Sequence, residues 1–108
     1  MAEIQTLVDD KIKSFLQKLR NAGYHISRAY IFGSYVSGKI DEWSDIDVVV
    51  VSPQISDDRF EERIRLTEIA LSIDDRIEPL PFSIEGFNDD DPLVRQIKNQ
   101  GILIRGTS

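Results

Sequence analysis

The spacing of apolar residues predicts a helix at the start of the chain. From Glu3 to Asn21 the apolar positions follow one another at spacings of 3, 1, 4, 3, 1 and 3, which places them on one stripe of an α-helix. Lysines and arginines cluster in the later turns and Gly23 follows, as is typical of a helix C-terminus. The stripe consists of Ile4, Leu7, Val8, Ile12, Phe15, Leu16 and Leu19.

Two strands are predicted next. The segment Arg28–Phe32 is short, β-prone and followed by the turn residues Gly33 and Ser34. The segment 45–51, DIDVVVV, contains four consecutive valines, whose branched side chains favour a pleated sheet. Because this run is apolar on both faces, we predict a central strand that is covered on both sides.

The second half of the chain predicts two more helices. One spans 57–73, and its broad apolar set (Phe60, Ile64, Leu66, Ile69, Ala70, Leu71 and Ile73) predicts that it packs against the sheet. The other spans 92–100, where Pro92 suits a first helical turn and Gly101 suits the position after the last turn.

An extended segment at 76–83 and a short strand at 102–105 complete the pattern. Pro79 and Pro81 place the extended segment at a sheet edge or a bulge, because proline has no N–H to donate. The order helix, strand, strand, helix, strand, helix, strand predicts one α/β (α+β) domain over residues 1–108, built around a small sheet.

Composition excludes several classes of function. The chain has 13 lysines and arginines against 19 aspartates and glutamates, a net charge of −6, which argues against duplex nucleic acid and anionic membranes as partners. Cysteine is absent, so disulfides, thiolate metal ligands and a cysteine nucleophile are excluded. No apolar run approaches the roughly 18 residues of a spanning helix, and the N-terminus is unlike a signal peptide. We therefore expect a soluble, cytoplasmic protein.

Candidate chemistry centres on Asp45 and Asp47. Residues two apart on a strand point to the same face, so the two carboxylates are expected a few ångströms apart. At 4 Å, such charges repel by roughly 4 kcal/mol at an effective dielectric near 20. A divalent cation removes this conflict, and Mg²⁺ prefers carboxylate oxygens together with substrate phosphates.

Two further features accompany this pair. Gly33 and Ser34 end the preceding strand, where glycine permits close approach of a ligand and a helix start would present N–H groups to phosphate. Glu78, on the next predicted strand, is a third acid that would complete a two-metal site, with Asp74 and Asp75 as rivals.

These residues carry a resemblance to a known family. Gly33-Ser34, then ten residues, then Asp45-Ile46-Asp47 and a valine run, resembles the signature of the DNA polymerase β-type nucleotidyltransferase superfamily. The small size is similar to that of its minimal nucleotidyltransferases. The resemblance covers nearly the whole chain, and its motif is specific because a strand precedes it and a hydrophobic strand follows.

The resemblance implies a small mixed sheet flanked by helices, Mg²⁺ held by Asp45, Asp47 and Glu78, and an NTP whose β- and γ-phosphates lie at Gly33 and Ser34. It implies transfer of an NMP, AMP from ATP, to an acceptor hydroxyl with release of pyrophosphate. Stand-alone minimal members resemble this chain in size, are often encoded beside a HEPN-domain protein and act as antitoxins. Some AMPylate a tyrosine of the HEPN toxin, which makes such a protein the implied partner.

The sequence also departs from the family pattern. Ser37 stands where many members carry an arginine, although Lys39 is close in sequence, and the third acid is Glu78 rather than aspartate. An alternative hypothesis is therefore a catalytically weak acidic antitoxin that neutralises its partner by contact. Transfer to a small-molecule hydroxyl is a third hypothesis, disfavoured because the chain has no second domain to enclose the acceptor.

Overall fold

The computed structural model describes residues 2–32 and 45–104 of the protein. Gly33, Ser34, Ser37 and Lys39 lie outside the described residues, so the predictions made on them stay predictions. The helices are α1 (Ala2–Asn21), α2 (Arg59–Leu71) and α3 (Pro92–Gln100), and the strands are β1 (Arg28–Phe32), β2 (Ile46–Val51), β3 (Ile77–Phe82) and β4 (Ile102–Leu103). Within these two ranges the predicted order of elements is confirmed, and no helix there has the length and apolarity needed to cross a membrane.

Local hydrogen bonds and glycine residues account for where the helices begin and end. After α1, Gly23 adopts φ +102°, and the Tyr24 N–H donates to the Leu19 carbonyl at 3.0 Å, which satisfies a helix-end oxygen. Asp58 caps α2 by accepting the Glu61 N–H at 3.2 Å. α3 ends before Gly101, which confirms the predicted stop. Glycine suits this position because a Cβ there would lie 2.6 Å from the Ile97 carbonyl oxygen.

The sheet is mixed and has the order β3-β2-β1-β4. β1 runs antiparallel to both β2 and β4, while β2 and β3 run parallel. The predicted central strand is confirmed, since β2 lies between β3 and β1 and its four valines are buried on both faces. The small mixed sheet flanked by helices that the resemblance implies is therefore confirmed.

Two apolar layers cover the sheet. α1 and α2 pack on the face that carries Val48 and Val50, and α3 packs on the face that carries Val49 and Val51. The prediction for α2 is confirmed only in part: Leu66 and Ala70 are buried, but three of its large apolar side chains are exposed, namely Phe60, Ile64 and Leu71.

β3 forms one edge of the sheet, as its prolines predict. The carbonyls of Arg76 and Phe82 accept the N–H groups of Ile46 and Ser52. The backbone N–H and C=O groups of even-numbered residues in β3 therefore point to β2, and those of positions 79 and 81 point away from the sheet. Proline at both outward positions leaves no N–H there to pair with another strand.

A partly buried ion cluster fixes the turn before β3. Asp74, whose side chain is 8% exposed, accepts from Lys11 of α1 at 2.7 Å and from two guanidinium nitrogens of Arg76 at 3.0 Å. These contacts hold the pKa of the Asp74 carboxyl well below its usual range, the Arg76 hydrogen bond being the largest cause. Asp74 therefore serves the fold, which removes it as a rival to Glu78.

Candidate active site

The candidate site lies at the end of the sheet where the parallel strands β2 and β3 begin. Asp47, the second residue of β2, is the register partner of Glu78 on β3 and of Phe32, the last residue of β1. Since the chain continues from Phe32 into Gly33 and Ser34, the topology joins the predicted phosphate-binding turn to the strand beside Asp47. The prediction that Glu78 lies on the strand next to the aspartates is confirmed.

Asp47 and Glu78 lie side by side on adjacent strands. Both are partly buried, and each carboxyl shifts the pKa of the other. Asp45 differs from the sequence prediction because it is exposed and directly precedes the strand, which begins at Ile46. Its charge nevertheless acts on both other carboxyls.

The electrostatics of the pair reflect burial and crowding of like charges. Burial is the largest cause raising the pKa of Asp47, and the charge of Asp45 raises it further. Burial also raises the pKa of Glu78, followed by the charges of Asp45 and Asp47. At neutral pH, the site therefore holds negative charge that the fold itself leaves poorly compensated.

One cation that the sequence analysis did not single out reaches this pair. Arg63 of α2 places a guanidinium nitrogen 4.0 Å from a Glu78 carboxylate oxygen, and its charge lowers the pKa of both Asp47 and Glu78. It lies 15 residues before Glu78 in a helix with several other charges, so no sequence pattern distinguishes it. Only the packing of α2 along β3 brings it to the site.

The donor set fits a hard divalent cation. Carboxylate oxygens are the ligands that Mg²⁺ prefers, and an ion beside the pair would relieve the charge conflict that raises both pKa values. No group of three or more histidine, cysteine, aspartate or glutamate side chains within residues 2–32 and 45–104 is arranged to hold a metal ion. The structure thus places two carboxyls side by side, and the third acid, Asp45, lies exposed just before the start of β2.

We expect the charge conflict to be measurable in the metal-free protein. The pKa of the Glu78 carboxyl should lie above its ordinary value, and added Mg²⁺ should lower it, because a nearby cation favours the ionised form. A carbon-detected NMR titration of the glutamate carboxyl signals measures both values, and the exposed Glu68 reports unspecific effects of the salt. A Glu78 titration that Mg²⁺ leaves in place would contradict cation binding at this pair.

Comparison with known proteins agrees with this architecture. The model of the polymerase beta nucleotidyltransferase family matches residues 10–108, so the chain belongs to that family. No curated protein sequence matches the chain. The family is one of nucleotidyltransferases, which supports transfer of a nucleotide as the general activity.

Three solved structures are similar in fold. A putative nucleotidyltransferase from Sulfolobus solfataricus superposes with a TM-score of 0.64 at 16% identity, covering 100% of this chain and 94% of that one. A toxin–antitoxin crystallised with AMP-PNP gives 0.58 at 24% identity, covering 92% and 73%. A mutant of the toxin–antitoxin pair MntA–HpeT gives 0.57 at 25% identity, covering 93% and 73%.

Proposed function

We propose that this chain is a Mg²⁺-dependent nucleotidyltransferase that transfers AMP from ATP to a protein hydroxyl, namely a tyrosine of a HEPN-type toxin partner in the cytoplasm. The side-by-side placement of Asp47 and Glu78 on the adjacent strands β2 and β3, in a chain of this family, carries the proposal. The similarity to two toxin–antitoxin structures, one of them with AMP-PNP, supports ATP and a partner protein as ligands.

In this proposal, Asp45, Asp47 and Glu78 would hold the metal ion, and Gly33 and Ser34 would bind the β- and γ-phosphates. Bound Mg²⁺ supplies neutralisation of the charge that develops on the phosphate oxygens. The chain's own residues position the carboxylates. The pairing of β2 with β3 places Asp47 beside Glu78, and the Asp74 ion cluster fixes the turn that precedes Glu78.

The bond changes are those of a simple displacement. The acceptor oxygen supplies an electron pair to the α-phosphorus, and the bond from that phosphorus to the bridging oxygen breaks, so pyrophosphate leaves with the bonding electrons. The proton of the hydroxyl passes to solvent water. The product is an acceptor that carries one AMP.

A titration of the labelled protein with Mg²⁺ and AMP-PNP tests nucleotide binding. We expect backbone NMR shifts at Gly33, Ser34, Asp47 and Glu78, because these residues contact the nucleotide or its metal ion. The molecule offers a competing location, a cavity of about 420 Å³ at the opposite end of the sheet, lined by Ala22, Gly23, Tyr24, Gln54, Arg65 and Ile69. Shifts confined to that cavity, or no shifts, would refute the proposed nucleotide site.

A further inference from the structure

An open groove runs along the outer edge of β3, directly beside the carboxyl pair. It has a volume of about 250 Å³ and is lined by Arg59, Phe60, Arg63, Leu80 and Pro81. Arg63 links it to the site, because its guanidinium lies 4.0 Å from Glu78. Leu80 follows Glu78 by two residues on the same face of the strand, so their Cα atoms lie about 7 Å apart.

The groove is a built feature of the fold. Asp58 caps the start of α2, and the adjacent Arg59 donates to the Pro81 carbonyl at 3.1 Å and places its guanidinium 4.1 Å from the centre of the Phe82 ring. These contacts clamp the first turn of α2 onto the end of β3. They thereby hold the backbone of Phe60 and Arg63 beside the groove.

Phe60 has no role in the core. It is 77% exposed, the highest value among the large hydrophobic side chains in the described part of the chain. An exposed aromatic ring on a clamped helix turn, beside apolar Leu80 and Pro81, is typical of a surface that binds a ligand. Its apolar character suits a flat aromatic group better than a sugar, whose many hydroxyls need polar partners.

The order of the strands places this groove on a defined side of the reaction. Gly33 and Ser34 follow β1, whereas Glu78 and the groove lie on the β3 side of Asp47. In a displacement at phosphorus, the entering and leaving oxygens lie on opposite sides. If the β- and γ-phosphates bind at Gly33 and Ser34, as in the proposed function on which this inference rests, an acceptor that enters from the β3 side satisfies this geometry.

We propose that the α2–β3 groove is the subsite that holds the acceptor tyrosine of the proposed function, with Phe60 and Arg63 as the residues that select its phenolic side chain. The ring lies against Phe60 and Pro81, and its hydroxyl points past Arg63 towards the carboxyl pair. Arg63 then donates a hydrogen bond to the phenol oxygen and stabilises the negative charge that builds there as its proton leaves to water. Phe60 determines affinity for the ring, and Arg63 acts on the reacting oxygen.

Binding and transfer are tested separately, with short capped peptides as probes. Three peptides differ only in a central tyrosine, phenylalanine or serine between glycines. We expect the tyrosine and phenylalanine peptides to shift NMR signals of Phe60, Arg63 and Leu80, and the serine peptide to leave them unmoved. Absence of those shifts with the tyrosine peptide would overturn the subsite.

Two variants separate the roles of the groove residues. Phe60→Ala should weaken tyrosine-peptide binding and raise the KM for that peptide, each about tenfold, with little change in kcat. Arg63→Gln should lower kcat about tenfold or more, and Arg63→Lys should restore part of it. The matched controls are Leu71→Ala, an equally apolar exposed position at the far end of α2, and Arg28→Gln at the opposite end of the sheet; both should behave as the unaltered protein.

The outcomes distinguish this inference from the proposed function. AMP transfer to the tyrosine peptide that Phe60→Ala and Arg63→Gln leave unchanged would overturn the subsite and leave the nucleotidyltransferase standing. Peptide shifts in the groove without any Mg²⁺–AMP-PNP binding would refute the proposed function and retain the groove only as a peptide site.

Discussion

Replacing Asp47 with asparagine is expected to lower the rate of the proposed AMP transfer by about a thousandfold, since removal of a carboxylate that holds the metal ion in that proposal costs several kcal/mol of transition-state stabilisation. The domain should stay folded. Because the pKa of Asp47 is raised in the folded protein, its ionised form is disfavoured there, and the variant should unfold at pH 8 at the same temperature or higher. Transfer of radiolabel from α-labelled ATP and thermal unfolding measure the two effects.

A matched set of variants makes this prediction specific. Glu78→Gln should show a comparable loss, whereas Asp75→Asn, an exposed acid three residues earlier, should keep full activity. Transfer by Asp47→Asn within tenfold of the unaltered protein would refute the assigned role. If that variant also neutralised its partner fully, the alternative of an antitoxin that acts by contact alone would be favoured.

Replacing Asp74 with alanine is expected to lower the free energy of unfolding by about 3 kcal/mol. The change removes the shared partner of Lys11 and Arg76 and takes away the two hydrogen bonds that the Arg76 guanidinium, whose side chain is 21% exposed, donates to Asp74. Chemical denaturation measures the loss. Asp75→Ala is the control, because this neighbouring acid is exposed, and an equal loss in both variants would contradict the role of the cluster.

The same cluster gives the protein an acid-sensitive stability. The pKa of Asp74 is lowered on folding, so its stabilising contribution is fully present above about pH 4, the ordinary range of an aspartate, and is lost as the pH falls further. The difference in stability between the unaltered protein and Asp74→Asn should therefore shrink below pH 4. A difference that stays constant down to pH 2 would contradict this linkage.

Much of the fold follows from local patterns. The bounds of β1 and α3 agree with the prediction, because a glycine follows one in the sequence and a proline and a glycine bound the other. The helix α2 is shorter than predicted at both ends, since Asp58 is its N-cap and Ser72 is its C-cap. Periodicity alone did not show which apolar residues of α2 stay exposed, because that depends on what packs beside each of them.

The sequence by itself determined the order of elements, the buried central strand and three acids at positions where strands begin, since periodicity, turn residues and β-branched runs act over a few neighbouring residues. The tertiary structure decided that Asp47 and Glu78 are register partners and that Asp74 binds Arg76 in an ion cluster. It also decided that Arg63 and Phe60 lie on the side of β3 next to the acids. These relations join residues far apart in the chain, and only the pairing of β2 with β3 and the clamping of α2 onto β3 set the distances between them.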